Sequence, residues 1–281
     1  MIQKKWSQVI LMALCQFLYV NALAEDNNLA LVSLPHVIDY TEGDGLAGAI
    51  GFKVEYLTAF HGSDHYLFEV KPEVSIQWRS GNHILFWEGF DLNHTKLGWR
   101  GLAKDKWLVE AGVQHDIVIP SGRSESVNLE LPHRGSEISV FFDSKYSLGS
   151  DWRNWISGRF SVGSNSYDWQ AKVSAGHVFF QGKGNTGAEI IAFSTFGSKD
   201  NINTFFGVPE LDSDVSGLQQ VDLDGGYRSS GFNIVYLSNI AQNLQITAKT
   251  GIEFYSSEVK KSDLVRDGSE TSADLSVLWK F

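Results

Sequence analysis

Histidine, serine and aspartate crowd one short stretch of this chain, 61-HGSDH-65. A cluster of this kind suggests two chemistries, a hydrolase built on Ser63 with a histidine base, or half of a metal site. The local sequence opposes both. Gly62, Ser63 and Asp64 are ordinary turn formers, and a triad needs its base and nucleophile held in fixed mutual geometry by separate elements. A pair of loop histidines is little better as a metal site. His177 is the other candidate, because it falls on the apolar side of an alternating stretch, where a lipid-active barrel enzyme would carry a catalytic histidine. No partner base can be named for it, and an outward histidine near a strand end is more simply interfacial. We therefore assign no catalytic, cofactor-binding or metal-binding residue.

The lone cysteine, Cys15, lies near the start of the chain. Lys4 and Lys5 precede a short apolar run from Val9 to Val20, and Ala22-Leu23-Ala24 has the small-residue pattern of a signal-peptide cleavage site. Residues 1–24 are thus expected to be a signal peptide, cleaved after Ala24. A lipoprotein anchor at Cys15 is the rival, but Leu14 is large where a small residue is wanted. The mature chain then has no cysteine, which removes disulfide frameworks, thiolate metal sites and cysteine nucleophiles together. With 33 acidic against 23 basic residues, a nucleic-acid groove is not expected.

The elements that would have to position any site are strands. In 66–79, Tyr66, Phe68, Val70, Pro72, Val74, Ile76 and Trp78 share one parity, and Leu67, Glu69, Lys71, Glu73, Ser75, Gln77 and Arg79, nearly all polar or charged, the other. The same split recurs in 167–179 and 244–254. Each stretch has one apolar and one polar face. A soluble sandwich would alternate too. These segments, however, approach or exceed the roughly 9–11 residues of a tilted membrane-crossing strand. Aromatics also gather near their ends, at Trp78, Trp87, Trp99, Trp107, Trp152, Trp155, Trp169 and Trp279, as in the girdles of a transmembrane barrel. No later stretch approaches the roughly 18 apolar residues of a spanning helix.

The pattern predicts an all-β, antiparallel, up-and-down transmembrane barrel of about twelve strands, with ten to fourteen possible. The strands fall near 45–59, 65–79, 82–91, 94–103, 106–118, 136–148, 152–163, 166–180, 185–198, 227–238, 242–256 and 270–281. Residues 44–281 form the barrel and 25–43 an N-terminal periplasmic segment. Pro72 should mark a bulge or a break, because it cannot donate to a ladder. Long connections at 119–135, 199–226 and 257–269 open on one side, and short turns such as 149–151, 182–184 and 239–241 alternate with them, as outer-membrane topology requires.

The sequence ends in 275-LSVLWKF-281. Leu275, Val277, Trp279 and Phe281 should face lipid while the last strand closes against the first. Val277, Trp279 and Phe281 also resemble the signal by which the barrel-assembly machinery recognises its clients. Inside, charges of both signs (Glu69, Lys71, Glu73, Arg79, Glu110, Arg159, Lys172, Lys249 and Glu253) are expected to pair across a narrow, filled lumen, with a small selective pore as the alternative. The loop at 199–226 is too rich in large hydrophobes to stand free in water. It should fold over or into the barrel mouth.

That loop also carries a family resemblance. Phe205-Phe206-Gly207-Val208, then Ser216-Gly217-Leu218, then Gly225-Gly226 resemble the elements of the MipA/OmpV family of outer-membrane proteins. The stretch 60-FHGSDHY-66 leading to Pro72, and Ser262 to Val265, add to the likeness. Ser262-Asp263 departs from the Ser-Pro common in the family, and Lys260-Lys261 replaces a more acidic run. The resemblance implies a non-enzymatic barrel without cofactor. Its expected partners are outer-membrane lipid, the barrel-assembly machinery, a lytic transglycosylase and a penicillin-binding murein synthase. A solute pore and an adhesin acting through external loops are the alternatives.

Overall fold

The computed structural model describes residues 44–59, 61–89, 94–103, 106–117, 136–149, 152–164, 168–182 and 186–281. The expected leader, the segment 25–43 and the loop 119–135 lie outside them. The strands are β1 (Gly45–Thr58), β2 (Tyr66–Ser80), β3 (His83–Glu88), β4 (His94–Ala103), β5 (Trp107–Ile117), β6 (Ser136–Ser147), β7 (Asn154–Gly163), β8 (Trp169–Gly182), β9 (Thr186–Gly197), β10 (Gly226–Ala241), β11 (Leu244–Tyr255) and β12 (Ser269–Lys280). Each pairs antiparallel with its sequence neighbours, and β12 closes on β1. Two short helices, α1 (Lys199–Phe206) and α2 (Glu210–Ser216), interrupt the connection from β9 to β10.

Alternation becomes an inside-out protein once the sheet closes. Phe68, Val70, Val140, Phe142, Phe160 and Phe232 stand exposed on the outer wall. Their strand neighbours Ser139, Phe141, Ser161 and Gly231 are buried on the inner one. An exposed apolar band of this extent is untenable in water and is what hydrocarbon requires. Closure also satisfies every strand's edge, which lipid could not do. At the seam, Phe281 N–H donates to the Gly48 carbonyl and Gly48 N–H to that of Phe281, both at 2.9 Å. Leu275, Trp279 and Phe281 are exposed on the outer face, while Ser276, Leu278 and Lys280 are buried on the inner one.

Connections after odd-numbered strands emerge at one rim, which carries the long 198–225 and 256–268 segments. The opposite rim has tight turns, such as Gly81-Asn82 between β2 and β3 and Gln242-Asn243 between β10 and β11. The turn expected at 239–241 therefore lies inside β10.

Pro72 makes neither a break nor a bulge against β1, since β2 keeps one register with β1 from Tyr66 opposite Thr58 to Arg79 opposite Gly45. Val74, of the same parity as Pro72, accepts from Gly89 N–H at 2.9 Å, so both address the β3 side. The β2–β3 pairing begins only at Ser75. The missing donor at Pro72 thus falls beyond it, where proline is tolerated.

The girdle needs correction at two positions. Trp78, Trp107 and Trp279 are exposed on the outer wall, but Trp152 and Trp155 are buried. Trp155 shares the parity of Arg159 and turns inward over Gly176.

Candidate functional site

The family-like residues build a cap over the odd-strand rim. Ser198 Oγ accepts from Asn201 N–H at 3.1 Å and so caps the N-terminus of α1, a standard use of a serine hydroxyl. The helix presents Ile202 and Phe206, both fully buried, to Leu223, Tyr255 and Val259. Val208, also fully buried, exchanges two backbone hydrogen bonds with Val221, at 2.9 and 3.0 Å. It packs with Leu218 against Ala59 of the β1–β2 loop and Leu264 of the β11–β12 loop. Three connections thus share two small apolar cores.

Polar contacts lock the same layers. The Asn203 amide donates to the Leu223 carbonyl and accepts from Leu223 N–H, both at 2.7 Å. Ser262 Oγ donates to the Phe206 carbonyl, and Asp263 accepts from Gln219 N–H at 3.1 Å. Glu258 accepts from Asp224 N–H at 3.2 Å, and its bond with Lys261 holds the carboxyl below its usual range. Gly217 ends α2 in the left-handed region (φ 73°) with Ser216 Oγ accepting from Leu218 N–H. That conformation favours glycine. A Cβ on Gly225 would lie 2.6 Å from the Lys199 backbone nitrogen, so the chain can return past α1 only as glycine. Gly207 N–H closes α1 on the Asn203 carbonyl, and Gly226 opens β10. Leu211 departs from expectation: it is 66 % exposed on the outside of the cap.

Beneath the cap, the side chains of His61, Ser63 and His65 in 61-HGSDH-65 bond to other groups and not to one another. His61 Nδ1 meets Glu270 Oε2 at 3.2 Å, and Tyr255 OH donates to the same carboxylate. The Ser63 hydroxyl accepts instead from the His65 backbone N–H at 3.1 Å. His65 and Asp64 face each other in the open at 3.6 Å. His177 is exposed and bonded to Asn154 Oδ1 at 2.8 Å.

The lumen divides into two unlike halves. On β3–β6 the expected pairing is found: Arg100, 1 % exposed, bonds Glu110 at 2.7 and 2.8 Å and reaches Glu88 at 3.4 Å, while Lys96 bonds Glu110 as well. Inward aromatics fill the rest. Lys96 and Arg159 stack on Phe141 at 4.7 and 4.6 Å from its centroid, and Lys145 stands 3.9 Å from that of Trp155, whose indole donates to Glu189 at 3.1 Å. A further network on β1 and β2 joins Lys53, Glu55, Lys71 and Glu69 at 2.8–3.1 Å.

The β8–β11 half does not follow the expectation. Lys172, Lys249 and Arg228 have no ion-pair partner among the described residues. Lys172 rests instead 4.0 Å from the Phe193 centroid, and Arg228 lies under Phe205 and Phe206 at 4.9 and 5.2 Å. Sequence reading missed Arg228, because an extra residue in β10 shifts the register between Tyr227 and Ser229 and parity assignments fail at such bulges. It also missed inward Phe86, Phe141, Phe193 and Trp155, whose apolar character looks like lipid face.

A closed antiparallel sheet with an apolar exterior and a charged, hydrogen-bonded interior is a transmembrane β-barrel of the outer-membrane type. The chain belongs to the MipA family, described as MltA-interacting protein MipA, which matches residues 50–281. Among curated proteins no sequence matches it significantly. Among solved structures it is similar to the NanC porin (TM-score 0.47, 9 % identity, covering 83 % of this chain and 100 % of that one). It is similar also to an outer-membrane channel from Pseudomonas putida F1 (0.48, 13 %, 85 % and 96 %), and to the CymD monoaromatic hydrocarbon channel (0.42, 9 %, 90 % and 90 %).

Proposed function

We propose that this protein acts in the outer membrane through binding and not catalysis, as a closed barrel holding murein-cleaving and murein-synthesising enzymes together. The observation that supports it most is the obstruction of the lumen: an ion-pair and aromatic network on β3–β7, and a cap built from three loops on the other side of the rim. A barrel so filled is spent on rigidity. The family's description as MltA-interacting supports a lytic transglycosylase as one partner, and the resemblance to a murein scaffold supports a penicillin-binding synthase as the other. With the signal peptide cleaved after Ala24 and the short turns in the periplasm, those partners would grip the N-terminal segment 25–43 and the turn tips. Val277, Trp279 and Phe281 would serve earlier, as the signal to the assembly machinery.

Crosslinking in intact envelopes tests this. The wild-type protein should recover both murein enzymes, and a variant lacking 26–43, exported and folded to the same level, should recover far less of either. Equal recovery would move the binding surface to the turns. Recovery of neither enzyme by the wild type would end the scaffold reading. A solute pore is the second reading, and one observation favours it: Lys249 faces inward by register yet is solvent-accessible, so the β10–β12 side of the lumen admits water.

A further inference from the structure

Arg228 is a buried guanidinium in want of an oxyanion. It is 5 % exposed, its Nε has no hydrogen-bond partner among the described residues, and its guanidinium carbon lies 4.9 and 5.2 Å from the ring centroids of the cap's Phe205 and Phe206. Aromatic stacking stabilises a cation without satisfying its N–H groups. Buried charge left this way is costly and marks a site that something else completes.

The register supplies its neighbours. One row of inward residues runs Arg100, Glu110, Asp143, Arg159, Lys172, Thr195 and Ser229 across β4 to β10. Two cations, Arg159 and Lys172, thus stand directly opposite each other, an unfavourable placement for a cross-strand pair. Arg159 bonds Gln114, but Lys172 has neither hydrogen bond nor ion pair among the described residues. Lys249, Arg228 and Arg159 all act on Lys172 through space. The carboxylate acting on it most strongly, Glu253, is already taken up as acceptor for Ser229 Oγ.

We propose that Arg228 and Lys172, with Lys249 deeper in the lumen, form a binding site under the cap for a small water-borne solute bearing a carboxylate or phosphate. A guanidinium gives two parallel N–H donors to one oxyanion, and an ammonium adds a point charge. The site opens to the lumen and not to the lipid face, so a membrane headgroup is not its occupant. Thr195, inward on the same row, would donate to a remaining oxygen. The inference does not depend on the scaffold reading.

The refolded full chain in lipid-free detergent micelles provides the test, with inorganic phosphate or acetate titrated against chloride at constant ionic strength. The readout is the temperature at which the heat-modifiable folded band is lost. The wild type should show a saturable upward shift. R228Q/K172Q should weaken the apparent affinity roughly tenfold or more, the scale of losing charge-assisted hydrogen bonds. E253Q, which keeps the acceptor for Ser229 but removes the competing charge, should tighten it, an outcome that general destabilisation cannot mimic. The proposal is overturned if the wild type shows no saturable shift, or if E253Q fails to tighten binding.

Discussion

Leu275 and Ser272 lie three residues apart on β12 and face different media. Leu275 is exposed on the outer wall, between Ala248 of β11 and Val54 of β1. Ser272 shares the inward parity of Glu270 and Asp274, which flank it along the strand. Arginine at the lipid position must enter hydrocarbon, at a cost of about 2–4 kcal/mol near the bilayer midplane. The same side chain at Ser272 meets water and two carboxylates. Leu275→Arg should therefore lower the urea stability of the lipid-reconstituted barrel by that amount and Ser272→Arg by much less. Equal losses would argue that the outer wall does not face lipid. Parity was legible here because each residue on β12 alternates without interruption. It was not legible for Trp155, where the inward ring is matched by Gly176 on the neighbouring strand, a pairing visible only once β7 and β8 are in register.

At the scale of elements, strand positions could be read to within a few residues, since period-two alternation persists through most of them. The cap was legible as an apolar loop but not as two helices. Each helix is under nine residues, too short to show a helical period, and such segments draw their stability from packing and not propensity. The end signals were nonetheless present: Ser198 before Asp200 and Asn201, Pro209 before Glu210, and Gly217 after Ser216. Asn203 is the cross-brace between α1 and the returning strand, with three hydrogen bonds to Leu223 and Lys199 at 2.7–2.9 Å. Asn203→Ala would leave the backbone groups of the fully buried Leu223 unsatisfied, at about 1–3 kcal/mol. Hydrogen exchange at the Leu223 amide should quicken by that margin, and proteolysis within 199–226 should follow, while the barrel unfolds at its usual denaturant concentration. Unchanged exchange at Leu223 would show that the apolar clusters alone hold the cap.

For the whole molecule, the cap and the lumen network are two obstructions in series, and they cover different parts of the cross-section. The densest ion pairs and inward rings lie on β3 to β7, with a second ion-pair network on β1 and β2 and Phe193 inward on β9, whereas α1 of the cap packs on Tyr255 of β11 and Val259 beyond it, on the side where Lys249 is open to solvent. Removing the cap should therefore matter more to passage than loosening the network. Deletion of 204–224 takes away Phe206, Val208, Leu218 and Leu223 together, so both small cores are lost as units. The strands keep their ladders, because those clusters are built from loop residues, with Tyr255 at the end of β11 the one strand residue among their buried members. In planar bilayers the deletion variant should give stable conductance steps larger than the wild type's, with the folded, heat-modifiable form preserved. Glu110→Gln, which disturbs Arg100 and Lys96 on the opposite wall, should change conductance far less. If the deletion variant folds and still conducts no more than the wild type, the lumen network closes the barrel unaided, and the cap must be an outward-facing binding surface, with exposed Leu211 at its crest.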